Sequence, residues 1–382
     1  LEHLINQQVK NIEISGIRKF SNLVAQMDDL ISFTIGQPDF PTPEHVKFAG
    51  IEAIKNNMTT YTHNAGTIEL RKAACHFVEQ KYDLNYSPES EVIVTMGASE
   101  AIDIAFRTIL NEDSEVLLPG PIYPGYEPII RMMGANPIHI DIRENHFRFT
   151  LEMIKPHITD KTRCIVLPYP SNPTGVSLTY NELREIADFL KGKDIFILAD
   201  EIYSELTFEY KHTSIASFLK EQTIVINGLS KSHSMTGWRI GFLFAPENIL
   251  KHILKVHQYN VSCANSIAQE AALEALTNGI DDAHVMKKEY AKRRDYVYSR
   301  LTSMGLDVVK PDGAFYFFVK IPDTFDMNSF DFALTLVQET KVAVVPGSAF
   351  SQYGENYFRL SFACSMEKLE HGLDRMAQFL AK

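Results

Sequence analysis

From about residue 90 the chain alternates short runs of apolar residues with longer stretches whose apolar positions recur every three to four residues. "EVIVTMG" (91–97) predicts a strand, and "ASEAIDIAFRTIL" (98–110) the helix after it. "EVLLPG" predicts another short strand, followed by the turn-rich "PIYPGYEP" and a helix. "RCIVLPYPSNPTG" joins an apolar strand to a Pro/Asn/Gly loop, and "YNELREIADFLKG" has helical periodicity ending at Gly192. "IFILADEIYSEL", "TIVINGLSKS" and "WRIGFLFAP" predict further strands. Apolar strands with helices between them imply an α/β fold with a mostly parallel sheet covered on both faces.

The last third has a different texture. A charged helix is expected over about 282–304, then "LDVVKPDGAFYFFVKI", a helix near 328–340, "VAVVP", "YFRLSFA" and a final amphipathic helix. This reads as a smaller α/β domain, and the segment before residue 45 is expected to pack with it. The expected division is therefore a large domain over 45–280 and a discontinuous small domain from 1–44 and 281–382. A chain of 382 residues is long enough for two such cores. It contains no internal repeat and no low-complexity segment.

Composition narrows the function classes. The formal net charge is −11, which gives no support for nucleic-acid or membrane binding. The basic cluster "MKKEYAKRRDY" (286–296) is interrupted by acids and reads as a solvated helix face. No run of about 18 apolar residues suggests a membrane span, and the polar, amphipathic start "LEHLINQQVKNIEISGIRKF" is unlike a signal peptide. The four cysteines, Cys75, Cys164, Cys263 and Cys364, lie far apart without metal-ligand spacing, as buried free thiols would. The expected location is the cytoplasm.

Polar landmarks follow the apolar runs: Gly97 to Ser99, Asn172, Asp200, Tyr203 and Lys231. Ligands of parallel α/β sheets bind at the carboxyl ends of strands, so these residues point to one shared site. Neither GxGxxG after the first strand, nor GxxxxGK[ST], nor GxSxG is present, which argues against dinucleotide, P-loop and serine-hydrolase chemistry. Backbone N–H groups at Ala98 and Ser99 suit a phosphate, although Ser99 also suits a plain helix cap. Lys231, in "LSKSHSMTGWR", is placed to become a nucleophilic amine toward a carbonyl. Arg239 can grip a phosphate bidentately. An aldehyde carrying a phosphate satisfies both, and pyridoxal 5′-phosphate is such a cofactor. Its ring nitrogen needs a carboxylate, for which Asp200, closing "IFILAD", is the candidate. A helix cap or ion pair is the alternative for Asp200.

"SNPTG", "ADEIY" and "LSKSHSMTGWRIG", in that order, resemble the motifs of the fold-type I, class I aminotransferases. The resemblance runs from "IGQPDFPTP" (35–43) through "YTHNAGTIELR" (61–71) to "RLSFA" (359–363). In texture the chain is most similar to a bacterial group of that family associated with N-acetyl-LL-diaminopimelate transamination in lysine biosynthesis. The resemblance implies the PLP-dependent transferase fold, with Lys231 as the cofactor's covalent partner and proton shuttle. It also implies Asp200 at the ring nitrogen, Tyr203 and Asn172 at the ring hydroxyl, and Tyr123 stacked on the ring. Ala98, Ser99, Ser230 and Arg239 match the phosphate cup. Tyr61 matches a tyrosine that reaches the neighbouring subunit's phosphate, which implies a homodimer with shared sites. Arg359 and Gly36 match the contacts to the substrate α-carboxylate, with Asn172 assisting.

Substrates of this family are amino acids and 2-oxo acids. A dicarboxylate would need a second cation, for which Arg18 in "SGIRKFSNL" is a candidate and His233 a weaker one. Aspartate, aromatic amino acids and N-acetyl-LL-diaminopimelate remain open, and the same motifs serve carbon–sulfur β-lyases. A cofactor-sensing transcription regulator is the reading from another class. The acidic balance, and the lack of room for a winged helix before "IGQPDF", count against it.

Overall fold

The computed structural model describes residues 1–381. Its strands are β1 (Ile31–Ser32), β2 (Val92–Thr95), β3 (Glu115–Gly120), β4 (Asn136–Asp141), β5 (Thr162–Leu167) and β6 (Phe196–Asp200). After these come β7 (Thr223–Gly228), β8 (Gly241–Phe244), β9 (Tyr316–Lys320), β10 (Val342–Ala343), β11 (Val345–Pro346) and β12 (Tyr357–Ser361). A seven-stranded sheet has the order β2-β8-β7-β6-β5-β3-β4. Its pairings are parallel except those of β8, which runs antiparallel to both β2 and β7.

The reversal at β8 follows from its connection. Residues 229–240 hold only a four-residue helix, Leu229–Ser232, and a single turn of 3₁₀ helix, Thr236–Trp238. A parallel return needs a crossover of a dozen or more residues, usually with a full helix. The chain turns back instead, and the loop that turns it carries Lys231. Strand β4, which the apolar pattern does not reveal, pairs only with β3 at the sheet edge and is mostly half-buried. Edge strands of this kind lack the continuous apolar run of a central strand.

Successive side chains of each central strand enter opposite cores. Val92 and Val94 of β2, with Ile165, Ile197 and Val225, face one helical layer. Ile93, with Cys164, Val166, Leu198 and Ile224, faces the other. Burying each such Val, Ile or Leu side chain stabilises by about 1.5–3 kcal/mol. The sheet is thus a rigid platform for whatever its strand ends carry.

A third core gathers Phe315, Phe317, Phe358 and Leu360 with Phe20, Val24 and Phe33 from the first part of the chain. The β11-β12-β9 sheet backs it, and β1 pairs in parallel with β10. Residues from both chain ends therefore share one core. Cys75, Cys164 and Cys364 are buried and Cys263 is partly exposed, all as free thiols. Among the described residues no helix is long and apolar enough to cross a membrane. No cluster of side chains among them could hold a metal ion.

Candidate active site

The carboxyl ends of the parallel strands open into a cavity of about 470 Å³. Gly36, Ala98, Ser99, Tyr123, Asn172, Asp200, Tyr203, Ser230, Lys231, Arg239 and Arg359 all line it. Tyr61 and Arg18 do not. Tyr61 is 86% exposed and outside the cavity. Arg18 is exposed on the helix Gly16–Val24, whose Ile17 meets the cavity in its place. His233 is a correction: it is buried and turned to the Gly279 carbonyl (2.9 Å) and the Ser232 hydroxyl (2.8 Å), away from any substrate.

Lys231 sits in the short helix directly after β7, and its Nζ donates to the Gly36 carbonyl at 2.7 Å. The same Nζ lies 5.7 Å from the centre of the Tyr203 ring. Burial, helped by the positive charges of Arg359 and Arg239 and opposed by Asp200, brings its pKa down to about 8. About half of the amine is therefore neutral near pH 8, where an ordinary lysine is almost wholly charged.

One end of the cavity is built for an anion. The helix Ala98–Ile109 starts at Gly97, and no side chain caps it. Its first N–H groups and the helix dipole thus face the cavity, and Ser99 is not the cap. Gly97 has φ of +78°, and a Cβ there would stand 2.6 Å from Arg239 Nη2. A Cβ on Gly241 would stand 2.9 Å from the Ala98 nitrogen. Two glycines thus let the guanidinium and the helix start approach closely. Arg239 donates to the Thr236 carbonyl at 3.0 Å and the Met96 carbonyl at 3.4 Å, and no carboxylate pairs with it among the described residues.

Asp200 closes β6, buried, and among the described residues it is in no ion pair and caps no helix. Its Oδ2 accepts from the Tyr126 hydroxyl at 2.7 Å and its Oδ1 from the Ile202 N–H at 3.2 Å. Burial raises its pKa, while these two donors pull it back down. Tyr203 is buried with its hydroxyl 2.8 Å from that of Tyr316. Tyr123 lies edge-on to Tyr126, their ring centres 5.7 Å apart.

Arg359, on β12, is only 1% exposed. Its Nη1 donates to Asn172 Oδ1 and its Nη2 to the Thr34 carbonyl, each at 2.8 Å. Its Nε has no partner, and no carboxylate offsets its charge among the described residues. A buried guanidinium left in that state is costly unless an anion completes it. It lies over the rings of Tyr316 (4.4 Å) and Phe350 (5.0 Å).

Two residues of this constellation escape the sequence reading. Tyr126 sits in "PIYPGYEP" beside the noticed Tyr123, and nothing local marks it as the partner of a carboxylate. Tyr316 lies in "GAFYFF", where it is indistinguishable from a core aromatic of a buried strand.

A family model, "Aminotransferase class I and II", matches residues 28–376. The chain belongs to the class I and II aminotransferases. A Bacillus subtilis protein named "Probable N-acetyl-LL-diaminopimelate aminotransferase" is 63% identical over 382 residues, covering 100% of this chain and 97% of its own. The aspartate aminotransferase of Pyrococcus abyssi is 41% identical, covering 96% and 95%. The crystal structure of an aromatic aminotransferase from Pyrococcus horikoshii superposes with a TM-score of 0.90 at 39% identity, covering 95% and 98%.

Class I aminotransferases of this fold use pyridoxal 5′-phosphate, and the residues present fit that group. An unpaired arginine beside an uncapped helix start suits its phosphate. A lysine depressed to about 8 suits its aldehyde, and a buried carboxylate at a strand end suits its ring nitrogen. Arg359, buried with an unpartnered Nε, would suit a second anion such as a carboxylate.

Proposed function

We propose that this aminotransferase moves the amino group of N-acetyl-LL-diaminopimelate to 2-oxoglutarate, a step of lysine biosynthesis, as a cytoplasmic homodimer. The carrying observation is the full-length identity to the Bacillus subtilis relative of that name, well above that to the aspartate and aromatic relatives. The cavity agrees with a longer substrate. Among the described residues its cationic side chains are Lys231, Arg239 and Arg359, and in this reading the first two serve the cofactor. The short side chain of aspartate meets no second cation from this chain within the lining. Arg18, next to the lining residue Ile17 and near enough for its charge to act on Tyr123, is the cation this chain offers to the far end of a longer substrate.

In this reading bound pyridoxal phosphate supplies an aldehyde that captures amines and a protonated ring that accepts electrons. Lys231 would hold that aldehyde and, as a free amine, would take and return the α-proton of the substrate. Arg359 and Asn172 hold the substrate carboxylate beside Gly36, which orients the Cα–H bond toward the lysine. Asp200 would keep the ring nitrogen protonated. Tyr203 and Asn172 would bond the ring oxygen, and Tyr123 would cover the ring. Ala98, Ser99, Ser230 and Arg239 would hold the phosphate, with Tyr61 of the partner subunit.

Exposure of Tyr61, and of Phe48, Ile51 and Ile54 on the helix Glu44–Lys55, supports a partner chain over that face. We further propose a large domain over 45–280 and a small domain from the joined segments 1–44 and 281–382, which the shared third core supports.

The test is a half-reaction panel. One donor at a time is added to the loaded enzyme while the absorbance of the bound cofactor is followed: N-acetyl-LL-diaminopimelate, glutamate, aspartate, phenylalanine and cystathionine. Conversion to the amine form fastest with N-acetyl-LL-diaminopimelate, and also with glutamate as the second donor, is the expected result. Preference for aspartate or phenylalanine overturns the substrate assignment. Release of pyruvate and ammonia from cystathionine points instead to β-lyase chemistry.

A further inference from the structure

Tyr316 lines the cavity with a hydroxyl that has no assigned task. It sits on β9 opposite Ser361, two places along from the pairing of Phe318 with Arg359, so Tyr316 and Arg359 share a face of the small sheet. Its ring lies under the guanidinium of Arg359, and its hydroxyl lies against Gly36, where an added Cβ would come within 3.3 Å. Packing alone would be served by phenylalanine. The hydroxyl, however, is buried and meets one polar atom among the described residues, the Tyr203 Oη at 2.8 Å.

Two phenols that share a hydrogen bond divide their roles. One donates, and the other accepts while keeping its own O–H for a third group. Tyr203 lines the cavity beside Lys231 and can turn its proton there, whereas Tyr316 has no other acceptor within reach. A phenol that accepts one hydrogen bond becomes a stronger donor of the next, because the chain polarises cooperatively.

We propose that Tyr316 is a positioning residue that donates to Tyr203, aiming and sharpening the Tyr203 hydroxyl as a donor to the cofactor ring oxygen. The inference rests on the reading above in which Tyr203 bonds that oxygen. A ring oxygen that receives a strong hydrogen bond is a poorer acceptor for the proton on the Lys231 nitrogen. Weakening the donor therefore lets that proton stay to higher pH.

The experiment is a pH titration of the bound cofactor's absorbance in wild type, Tyr316→Phe, Tyr203→Phe and the double variant, without substrate. Phenylalanine keeps the ring against Arg359 and leaves no cavity. Tyr203→Phe raises the midpoint, and Tyr316→Phe raises it by a smaller amount, about half a unit, as loss of one buried hydrogen bond implies. Because Tyr316 acts through Tyr203, the double variant titrates like Tyr203→Phe alone. KM for the amino donor stays within about twofold, since Arg359 keeps its ring platform. A midpoint moved by Tyr203→Phe but not by Tyr316→Phe overturns the proposal and leaves the role of Tyr203 standing. Additive shifts in the double variant overturn it in the same way. A midpoint that Tyr203→Phe leaves unmoved overturns the proposal together with the reading beneath it.

Discussion

The Tyr126 hydroxyl donates to Asp200 Oδ2 at 2.7 Å from a helix 74 residues earlier in the chain. The bond matters because burial works against the charged carboxylate, and only Tyr126 and the Ile202 N–H counter it by hydrogen bonding. Removing the phenol raises the Asp200 pKa further. Tyr126→Phe is expected to lower kcat/KM by about tenfold, the weight of one hydrogen bond to a charged group. Its acid limb should move to higher pH, because a neutral Asp200 cannot hold a proton on the ring nitrogen. A pH–rate profile checks this, and an unmoved acid limb would count against Asp200 as the ring's partner.

Gly97 and Arg239 are fitted to one another, and the fit requires the absence of a side chain. Gly97→Ala would put a methyl 2.6 Å from Nη2 in a backbone region with φ of +78°. The strain is about 1–3 kcal/mol, and relieving it would push the guanidinium off the proposed phosphate site. Cofactor affinity measured by equilibrium dialysis should fall by at least about tenfold. Gly192, which also has positive φ but no atom within 4 Å of its would-be Cβ, is the control. Gly192→Ala should leave cofactor affinity unchanged.

Arg359 carries a buried charge with no anion beside it among the described residues, and in the proposed function the substrate carboxylate completes its hydrogen bonding. Arg359→Gln should reduce kcat/KM by roughly 10²–10³, the usual effect of truncating one partner of a buried charge pair. Arg359→Lys should recover little of it, because a single ammonium cannot match both Asn172 and a carboxylate. Cofactor binding should persist in both variants. Steady-state kinetics with spectra of the bound cofactor separate the two effects.

The central strands and the residues at their ends were legible because both announce themselves locally. Strands such as "IFILAD" are apolar throughout, and the polar residue that ends each one stands out. The helices Ile68–Tyr82, Glu247–Val261 and Ser266–Thr277 were not read, although each is regular. In Ser266–Thr277 small alanines cover most of the buried face, so size contrast along the helix is weak. Tyr126 and Tyr316 were missed for another reason. Their roles depend on partners 74 and 113 residues away, and no local pattern encodes such a distance. Arg18 shows the converse, since periodicity marks its helix but does not say that Ile17 faces the cavity.

The proposal that two copies share their sites makes a prediction about mixtures. Lys231→Ala should have no turnover, and Tyr61→Ala should bind the cofactor weakly. A dimer with one chain of each kind has one complete site, since its intact lysine meets the intact Tyr61 of the partner subunit. Equal amounts refolded or exchanged together should regain about a quarter of wild-type activity at limiting cofactor, from half the dimers with half the sites each. Activity no greater than the mean of the two parents would place Tyr61 in its own chain's site, or in none.

The depressed pKa of Lys231 predicts how the cofactor-free protein captures pyridoxal phosphate. Attack on the aldehyde needs the neutral amine. Below its pKa of about 8 the neutral fraction, and hence the capture rate, should rise about tenfold per pH unit and then level off. An ordinary lysine, with its value of 10.5, would still be rising at pH 9. Burial is the first cause of the depression and Arg359 the second. Arg359→Gln should therefore move the plateau upward while leaving it below 10.5. Stopped-flow capture rates from pH 6 to 10 decide the matter: a plateau near 8 that moves up in Arg359→Gln supports both causes. A wild-type rate still climbing at pH 10 would mean that the cavity does not desolvate the amine.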